Sequence, residues 1–420
     1  MRNPRSPGTT TGDLRRILVG RGARGLTSGY LSVVIGVELH RRGLSGLQIG
    51  LVLGAILGGA ALALSAVRRF ADSNGRRRMY LGGYLAQGVA GLVLVLSPWW
   101  WLVAAIGLTG AMSGEIVDSG ALGSLEQVML ATAIRAEHRL RGFSRYAAVG
   151  AATGALGALS AGLLEFADPA AIGRSSYIPV IPLALIGALA AWGLSAGVEH
   201  VSDGREGRKP TRGGGSTDAE TRRIVRRLSA LFSLDSFGAG FAIQAYVAYW
   251  LATRFDASTL AIGVIFLGLG ILQTVSMQVA GRLGERFGLL ETMVFTHLPS
   301  NVFLAAIAFA PNIPVAAALL SLRAFLSEMD VPTRNAYVMA LVPAEGRTYA
   351  ASTTSLARLV ARPFGPVLGG VVQSLALGAP FLVSGTLKGV YDIALWAWFR
   401  RVPLPEATVH PADPAARPGG

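Results

Sequence analysis

The chain has 420 residues, a formal net charge of +14 and no cysteine. Its residues are 52% hydrophobic and 15% charged, whereas soluble domains are usually about 25% charged. This composition excludes a single water-soluble globular unit, and the absence of cysteine excludes disulfides and thiolate metal sites. The arginines stand in short bursts between apolar runs, so we expect the basic charge to contact anionic lipid and not nucleic acid.

Most of the chain consists of apolar runs of about 18–25 residues, the length needed to cross ~30 Å of hydrocarbon. The runs are continuous and do not alternate, which favours membrane helices over barrel strands. We therefore predict twelve spans. They cover residues 17–40, 46–67, 79–97, 99–131, 142–166, 177–198, 224–252, 259–281, 289–310, 313–342, 348–376 and 379–400.

The basic residues predict how the spans are oriented. Only four of the 38 Lys and Arg residues fall in the connections on one side: Arg41, Arg42, Arg174 and Arg254. The positive-inside rule then places both termini in the cytoplasm of a bacterial inner membrane. A Gly-rich charged stretch separates two groups of six spans. The predicted parts are a disordered segment 1–16, a six-helix bundle 17–198, a cytoplasmic linker 199–223, a second bundle 224–401 and a disordered tail 402–420.

The two groups of spans repeat each other at a shift of about 208–213 positions. After the second span of each group, an acid precedes a glycine by three residues, as Asp72 and Gly75 and as Glu285 and Gly288. After the fourth span, residues 136–139 match residues 344–347 in the same register. Agreement at two turns indicates two six-helix halves in parallel repeat, which is a transporter architecture.

The turn at residues 72–77, Asp-x-x-Gly-Arg-Arg, resembles the signature loop of the major facilitator superfamily, and residues 281–288 resemble its second copy. The resemblance implies an all-α membrane protein with twelve transmembrane helices in two six-helix parallel repeats. It also implies a central cavity lined by helices 1, 4, 7 and 10. One departure is Arg68, which stands where the loop usually begins with glycine.

A tight turn with an acid and a base at its ends can latch one conformation of a carrier. We expect one such latch in each half, at the cytoplasmic side; the alternative is ordinary positive-inside charge. The predicted gating residues are Asp72, Gly75, Arg76 and Glu126 in the first half, and Gly281, Glu285, Arg286, Gly288 and Arg334 in the second.

Ionisable residues inside the predicted spans are the second kind of candidate. A charge at the bilayer centre costs about 2.5–3.5 kcal/mol on insertion scales, so these groups must pair or line water. Arg323, Asp330 and Arg334 share one helical face. The acids are candidates for proton transfer because desolvation disfavours an ionised carboxylate; the alternative is a set of fixed ion pairs. The candidate cavity residues are Glu115, Asp118, Asp235, Gln244, Arg323, Asp330, Arg358 and Arg362.

Two further charges, Lys388 and Asp392, are four residues apart in the last span and predict a local ion pair. The segment 365–370, Gly-Pro-Val-Leu-Gly-Gly, is similar to one that antiporters of the superfamily carry in helix 5, although here it lies in helix 11. This similarity favours export over uptake.

Together these features predict a proton-coupled, alternating-access exporter of a small organic or drug-like compound, acting as a monomer. Proton-coupled uptake of an organic anion is the alternative, favoured if Arg323, Arg358 and Arg362 face the cavity. A sensor or scaffold without transport activity is the second alternative. The chain has no P-loop, His-Glu-x-x-His or Gly-x-Ser-x-Gly motif, so we predict no enzyme activity and no cofactor. The five histidines show no metal-ligand spacing.

Overall fold

The fold was analysed in a computed structural model. It describes residues 11–96, 99–112, 120–134, 139–167, 174–195, 219–343 and 346–402. Within these ranges the regular secondary structure is helical, and no strand occurs. The helices of the first half are α1 (Thr11–Arg41), α2 (Gly46–Asn74), α3 (Arg76–Leu96), α4 (Trp100–Gly107), α5 (Ala121–Ala133), α6 (Arg139–Ala167) and α7 (Val180–Trp192).

The second half follows the same plan. Its helices are α8 (Ala219–Gly240), α9 (Gln244–Phe255), α10 (Thr259–Phe287), α11 (Leu289–Ala306), α12 (Ile313–Ser327), α13 (Asp330–Leu341), α14 (Arg347–Ala361), α15 (Phe364–Val372) and α16 (Ala379–Phe399). Each predicted span coincides with one helix or with a pair of short helices. The pairs α8 with α9, α12 with α13, and α14 with α15 form spans 7, 10 and 11, and α4 and α5 fall within span 4. This confirms the predicted all-α architecture of two six-span halves.

Two helices begin earlier than the predicted boundaries. Residues 11–16, expected to be disordered, form the first turns of α1 because Asp13 is held in place. Its carboxylate accepts hydrogen bonds from the backbone N–H of Ser195 at 3.0 Å and from the Ser195 hydroxyl at 2.6 Å. In the same way α8 starts inside the predicted linker, at Ala219. In the described part of the chain, six helical segments are long and apolar enough to cross a membrane.

Among the described residues, the two halves share one hydrophobic core at one end of the molecule and not at the other. This end, where α1 finishes and α2 begins, is called the closed end. Its core joins residues 30–39 of α1 and 49–57 of α2 to residues 242–252 around α9. At the opposite end, here called the open end, each half has its own separate core. The first-half core includes Tyr84 and the second-half core Phe232. The halves are therefore joined at one end and apart at the other.

Small residues allow the halves to meet closely at the closed end. A Cβ atom on Gly50 of α2 would lie 3.0 Å from the carbonyl oxygen of Val367 in α15. A Cβ on Gly263 of α10 would lie 2.7 Å from the carbonyl oxygen of Ala158 in α6. Neither position has room for a side chain. The Gly-Pro-Val-Leu-Gly-Gly segment that suggested export therefore packs α15 against α2 between the halves.

Candidate functional site

Each half has a glycine at the tight turn that joins its second and third spans. Gly75 adopts φ 84° between α2 and α3, and Gly288 adopts φ 95° between α10 and α11. Such backbone angles favour glycine, which has no Cβ to clash. Asp72 lies in the last turn of α2, Gly281 lies in α10, and Arg76 begins α3. The backbone at this turn follows the predicted repeat.

The side chains expected to form the latches lie in different places. Glu126 is fully buried in α5 and is bound by Arg24 of α1, whose Nη2 donates to Oε2 at 2.7 Å. Glu285 and Arg286 are exposed at the end of α10, where Arg286 stacks on Phe287. Arg334 does not join them. The helical face that carries Arg334 is turned towards α8, so its guanidinium binds carboxylates in the second half. Glu285, Arg286 and Arg334 are thus apart in this form, which is open at that end, and the second latch stays a prediction.

Glu126 is the centre of a cluster in the first half, called here the first-half cluster. Besides Arg24, three tyrosine hydroxyls surround it, from α3 and α6. Tyr80 donates to Oε1 at 2.8 Å, Tyr84 at 3.3 Å, and Tyr146 donates to Oε2 at 2.7 Å. Arg24 also contacts the Tyr146 hydroxyl at 3.0 Å. Four donor side chains therefore hold the carboxylate of Glu126 in one position.

The second half contains a larger cluster of buried charges, called here the second-half cluster. Its centre is Asp235 of α8, which is 3% exposed. Lys388 of α16 donates to Oδ1 of Asp235, and Nη1 of Arg334 lies 3.5 Å from Oδ2. Arg334 also donates to Asp330, one turn earlier on α13. Asp235 thus shares its negative charge between cations from two other helices.

His297 of α11 connects Asp235 to the third acid of the second-half cluster. Its Nδ1 lies 2.9 Å from Oδ1 of Asp392, and its Nε2 lies 4.0 Å from Oδ1 of Asp235. Asn301 donates to Oδ2 of Asp392 at 2.7 Å. Because Lys388 binds Asp235 and Asp392 binds His297, the predicted local pair between Lys388 and Asp392 is wrong.

The remaining candidates are dispersed. Glu115 and Asp118 lie outside the described residues. Arg323 is half-buried on α12, and Gln244 is half-buried at the start of α9. Arg362 is half-buried at the break between α14 and α15. Of the predicted cavity residues, Asp235, Asp330 and Arg358 are brought together.

A cavity of about 180 Å³ adjoins the second-half cluster, and it is called here the α8–α13–α14 pocket. Two arginines border it. Arg334 is almost fully buried, and Arg358 is half-buried with its Nε 3.4 Å from the Ser236 hydroxyl. The full lining is Phe232, Arg334, Asn335, Val338, Met339, Ala351, Thr354, Ser355 and Arg358. The pocket lies in the open-end half of the molecule, since α13 ends and α14 begins there.

The two clusters occupy equivalent places in the repeat with opposite charges. The first half pairs Arg24 of span 1 with Glu126 of span 4, and the second half pairs Asp235 of span 7 with Arg334 of span 10. Sequence reasoning missed Arg24, His297 and the three tyrosines. The repeat could have indicated Arg24, because a shift of 211 positions, within the observed range, places it on Asp235.

The comparisons with known proteins agree with this fold. A family model described as Major Facilitator Superfamily matches residues 17–253 and 228–418. An uncharacterized membrane protein of Saccharomyces cerevisiae, YJR124C, is 24% identical over 407 residues, which cover 89% of this chain and 91% of the yeast protein.

Solved transporter structures are similar over most of their length. The nucleoside transporter NupG is 14% identical, with a TM-score of 0.71 and coverage of 93% of this chain and 100% of NupG. The inward-open xylose transporter XylE from E. coli is 14% identical, with a TM-score of 0.70 over 94% and 98% of the two chains. An inward-facing bacterial homologue of the iron transporter ferroportin is 17% identical, with a TM-score of 0.69 over 92% and 98%. At this identity the likeness concerns the fold. Together with the family match across both halves, it shows that the chain belongs to the major facilitator superfamily of membrane transporters.

Proposed function

We propose that this protein is a proton-coupled secondary transporter of a small organic solute, working by alternating access. The observation that carries the proposal is the second-half cluster, in which Asp235 is buried between Lys388, Arg334 and His297. Buried charges inside membrane helices are costly and are typically kept for function. If Asp235 gains a proton, its ionic partners change, and the cluster can in this way couple proton binding to a change of conformation.

Protonation of Asp235 would change the contacts of three helices at once. A neutral Asp235 no longer attracts Lys388 on α16 or Arg334 on α13, so both cations are released to other partners. Arg334 then retains Asp330 alone as its carboxylate partner within the cluster. Because these helices belong to one half, a proton at Asp235 can alter its shape and thereby bias the opening of the carrier.

The charge distribution supports an inward-facing orientation. The basic turn at residues 76–78 lies at the open end, whereas Arg41, Arg42, Arg174 and Arg254 lie at the closed end. By the positive-inside rule the open end would face the cytoplasm, with both termini there, in a bacterial inner membrane. We propose a monomer, since each chain contains both halves that alternating access requires.

Export and uptake are the two candidate directions of transport. The export expected from the Gly-Pro-Val-Leu-Gly-Gly segment loses support, because that segment serves packing between the halves. Uptake of an organic anion is the second candidate, and the two arginines of the α8–α13–α14 pocket favour it. A sensor or scaffold would bind a solute without moving it.

The deciding experiment is transport in proteoliposomes with and without an imposed proton gradient, over a panel of organic solutes. We expect gradient-driven accumulation, which Asp235→Asn abolishes and the exposed-acid control Glu220→Gln leaves intact. Solute movement that ignores the gradient and survives Asp235→Asn and Asp330→Asn would overturn proton coupling. Binding without movement for every solute would instead favour the sensor.

A further inference from the structure

We infer that the α8–α13–α14 pocket binds the anionic group of an organic acid, such as a carboxylate, so that the transported solute is an organic anion. This inference rests on the proposed function for the transport step, although binding can be tested by itself. It is carried by the two arginines, their state of pairing and the shape of the cavity between them.

Arg358 brings to the pocket a guanidinium that no described carboxylate contacts directly. Among the described residues, its polar contact is the neutral hydroxyl of Ser236 at 3.4 Å, and it forms no ion pair. A cation removed from water without a direct ionic partner is costly. A bound anion would supply that partner.

Arg334, on the opposite wall, has spare hydrogen-bonding capacity. Its Nη1 binds Asp330 and lies 3.5 Å from Asp235, while its buried Nε makes no hydrogen bond with any described residue. The guanidinium also lies over the ring of Phe232, 5.7 Å from its centre. It borders the pocket, and its planar fork of N–H donors is suited to a carboxylate.

The other walls favour an organic acid over an inorganic ion. Val338, Met339 and Ala351 are apolar, so part of the ligand must be apolar too. The volume of about 180 Å³ is smaller than the roughly 300–1,000 Å³ of sites that enclose drug-sized ligands. The pocket therefore suits the charged end of a solute whose remainder extends into the gap between the halves.

The balance of charges also links the anion to the proton. The carboxylates of Asp235, Asp330 and Asp392 are matched by the cations of Arg334, Lys388 and Arg358, with His297 as the further titratable group and Arg362 one turn from Arg358. An added anion makes this region more negative and so favours uptake of a proton by one of the acids. Binding of either ligand strengthens binding of the other by the same factor. Such coupling produces symport, and the direction is uptake when the proton gradient is inward.

The test uses the full chain in detergent, with benzoate and succinate as probes and the uncharged benzamide and succinamide as matched controls. We expect the two acids, and not the amides, to raise the unfolding temperature. A charge-assisted hydrogen bond contributes enough that Arg358→Gln should weaken binding of the acids about tenfold or more. Arg282→Gln, which removes an exposed arginine at the same end, should leave binding unchanged.

A second variant keeps the test decisive if Arg358→Gln fails to fold. Asn335 is an exposed residue of the pocket wall, and Asn335→Asp places a negative charge there, which should weaken acid binding severalfold. The inference would be overturned if the amides stabilised the protein as much as the acids, or if neither acid stabilised it. It would also be overturned if both pocket variants bound the acids as well as the unaltered protein. Arg358-dependent binding without gradient-driven transport would leave the pocket in place and remove only the proposed function.

Discussion

His297 and Asp392 form a hydrogen-bonded pair across α11 and α16, with Nδ1 of the ring 2.9 Å from the carboxylate. The other ring nitrogen faces Asp235 of α8 at 4.0 Å. A histidine with an acid at each nitrogen can accept a proton on one side and donate it on the other. We propose that His297 passes protons between Asp235 and Asp392 when its Nε2 closes the 4.0 Å gap to Asp235.

His297→Gln tests this relay, because an amide keeps a hydrogen bond to Asp392 but cannot transfer a proton. We expect transport driven by a proton gradient to fall about tenfold or more, within the usual range for loss of a proton-transfer group. Exchange of labelled for unlabelled solute, which needs no net proton movement, should continue. Equal loss of both activities would show that His297 is needed for structure only.

Arg24 and Glu126 should be structural partners, since Glu126 is fully buried and bound by four side chains. Glu126→Gln leaves the guanidinium of Arg24 buried without a counter-charge, which typically costs about 3–5 kcal/mol. We expect a marked fall in the unfolding temperature of the detergent-solubilised protein. Arg24→Met combined with Glu126→Leu should recover most of that stability, and a double variant as unstable as the single one would contradict this account.

The close contact at Gly50 should control which end of the carrier is open. Gly50→Val would push α2 away from α15, because its Cβ would lie 3.0 Å from the Val367 carbonyl oxygen. The form closed at this end is then disfavoured, and the open end should close in compensation. Since the chain has no cysteine, labelling of Asn335→Cys by a hydrophilic maleimide reports the change without background. We expect labelling to become severalfold slower.

The control for this experiment is Gly82→Val, because a Cβ on Gly82 of α3 would have no atom within 4 Å. Its labelling rate should match that of the unaltered background. If Gly50→Val also leaves the rate unchanged, the contact between α2 and α15 does not hold the closed end together.

Glu165 joins the halves by a polar contact at the closed end. Its carboxylate accepts a hydrogen bond from the backbone N–H of Thr259 at 2.9 Å, at the start of α10, and it also binds Arg41. An anion at a helix N-terminus contributes about 0.3–1 kcal/mol. Glu165→Gln should therefore slow labelling of Asn335→Cys by a factor of about two to five.

A matched control for Glu165 is Asp256→Asn, which neutralises an exposed acid at the same end. Asp256 has φ 49°, and asparagine tolerates this left-handed conformation well. Identical labelling rates in Glu165→Gln and Asp256→Asn would argue against a latch at Glu165.

The spans and the repeat could be predicted from the sequence because both are local properties. Span length follows from bilayer thickness, and the turns at Gly75 and Gly288 require a residue that accepts positive φ. The partners of buried charges could not be predicted in this way. Lys388 and Asp392 are four residues apart, yet one binds α8 and the other α11, because helix packing and not sequence distance decides what each face meets.

The same limit applies to the partners of Arg334. Arg334 follows the basic pattern of the open end in sequence, but α13 is rotated so that this arginine faces Asp235. A repeat predicts which positions correspond, and it does not predict that a charge pair will be reversed between the halves. Arg24 with Glu126 and Asp235 with Arg334 are such a reversed pair.

The glycine-lined contacts between the halves have a mechanical consequence. Where backbone rests on backbone, as at Gly50 and Gly263, no side chain stands between the two helices. At these points the helices can separate or tilt without any side chain changing its rotamer. With such contacts between its halves, a few ionic interactions, each contributing about 1 kcal/mol, can decide which of the two conformations is populated.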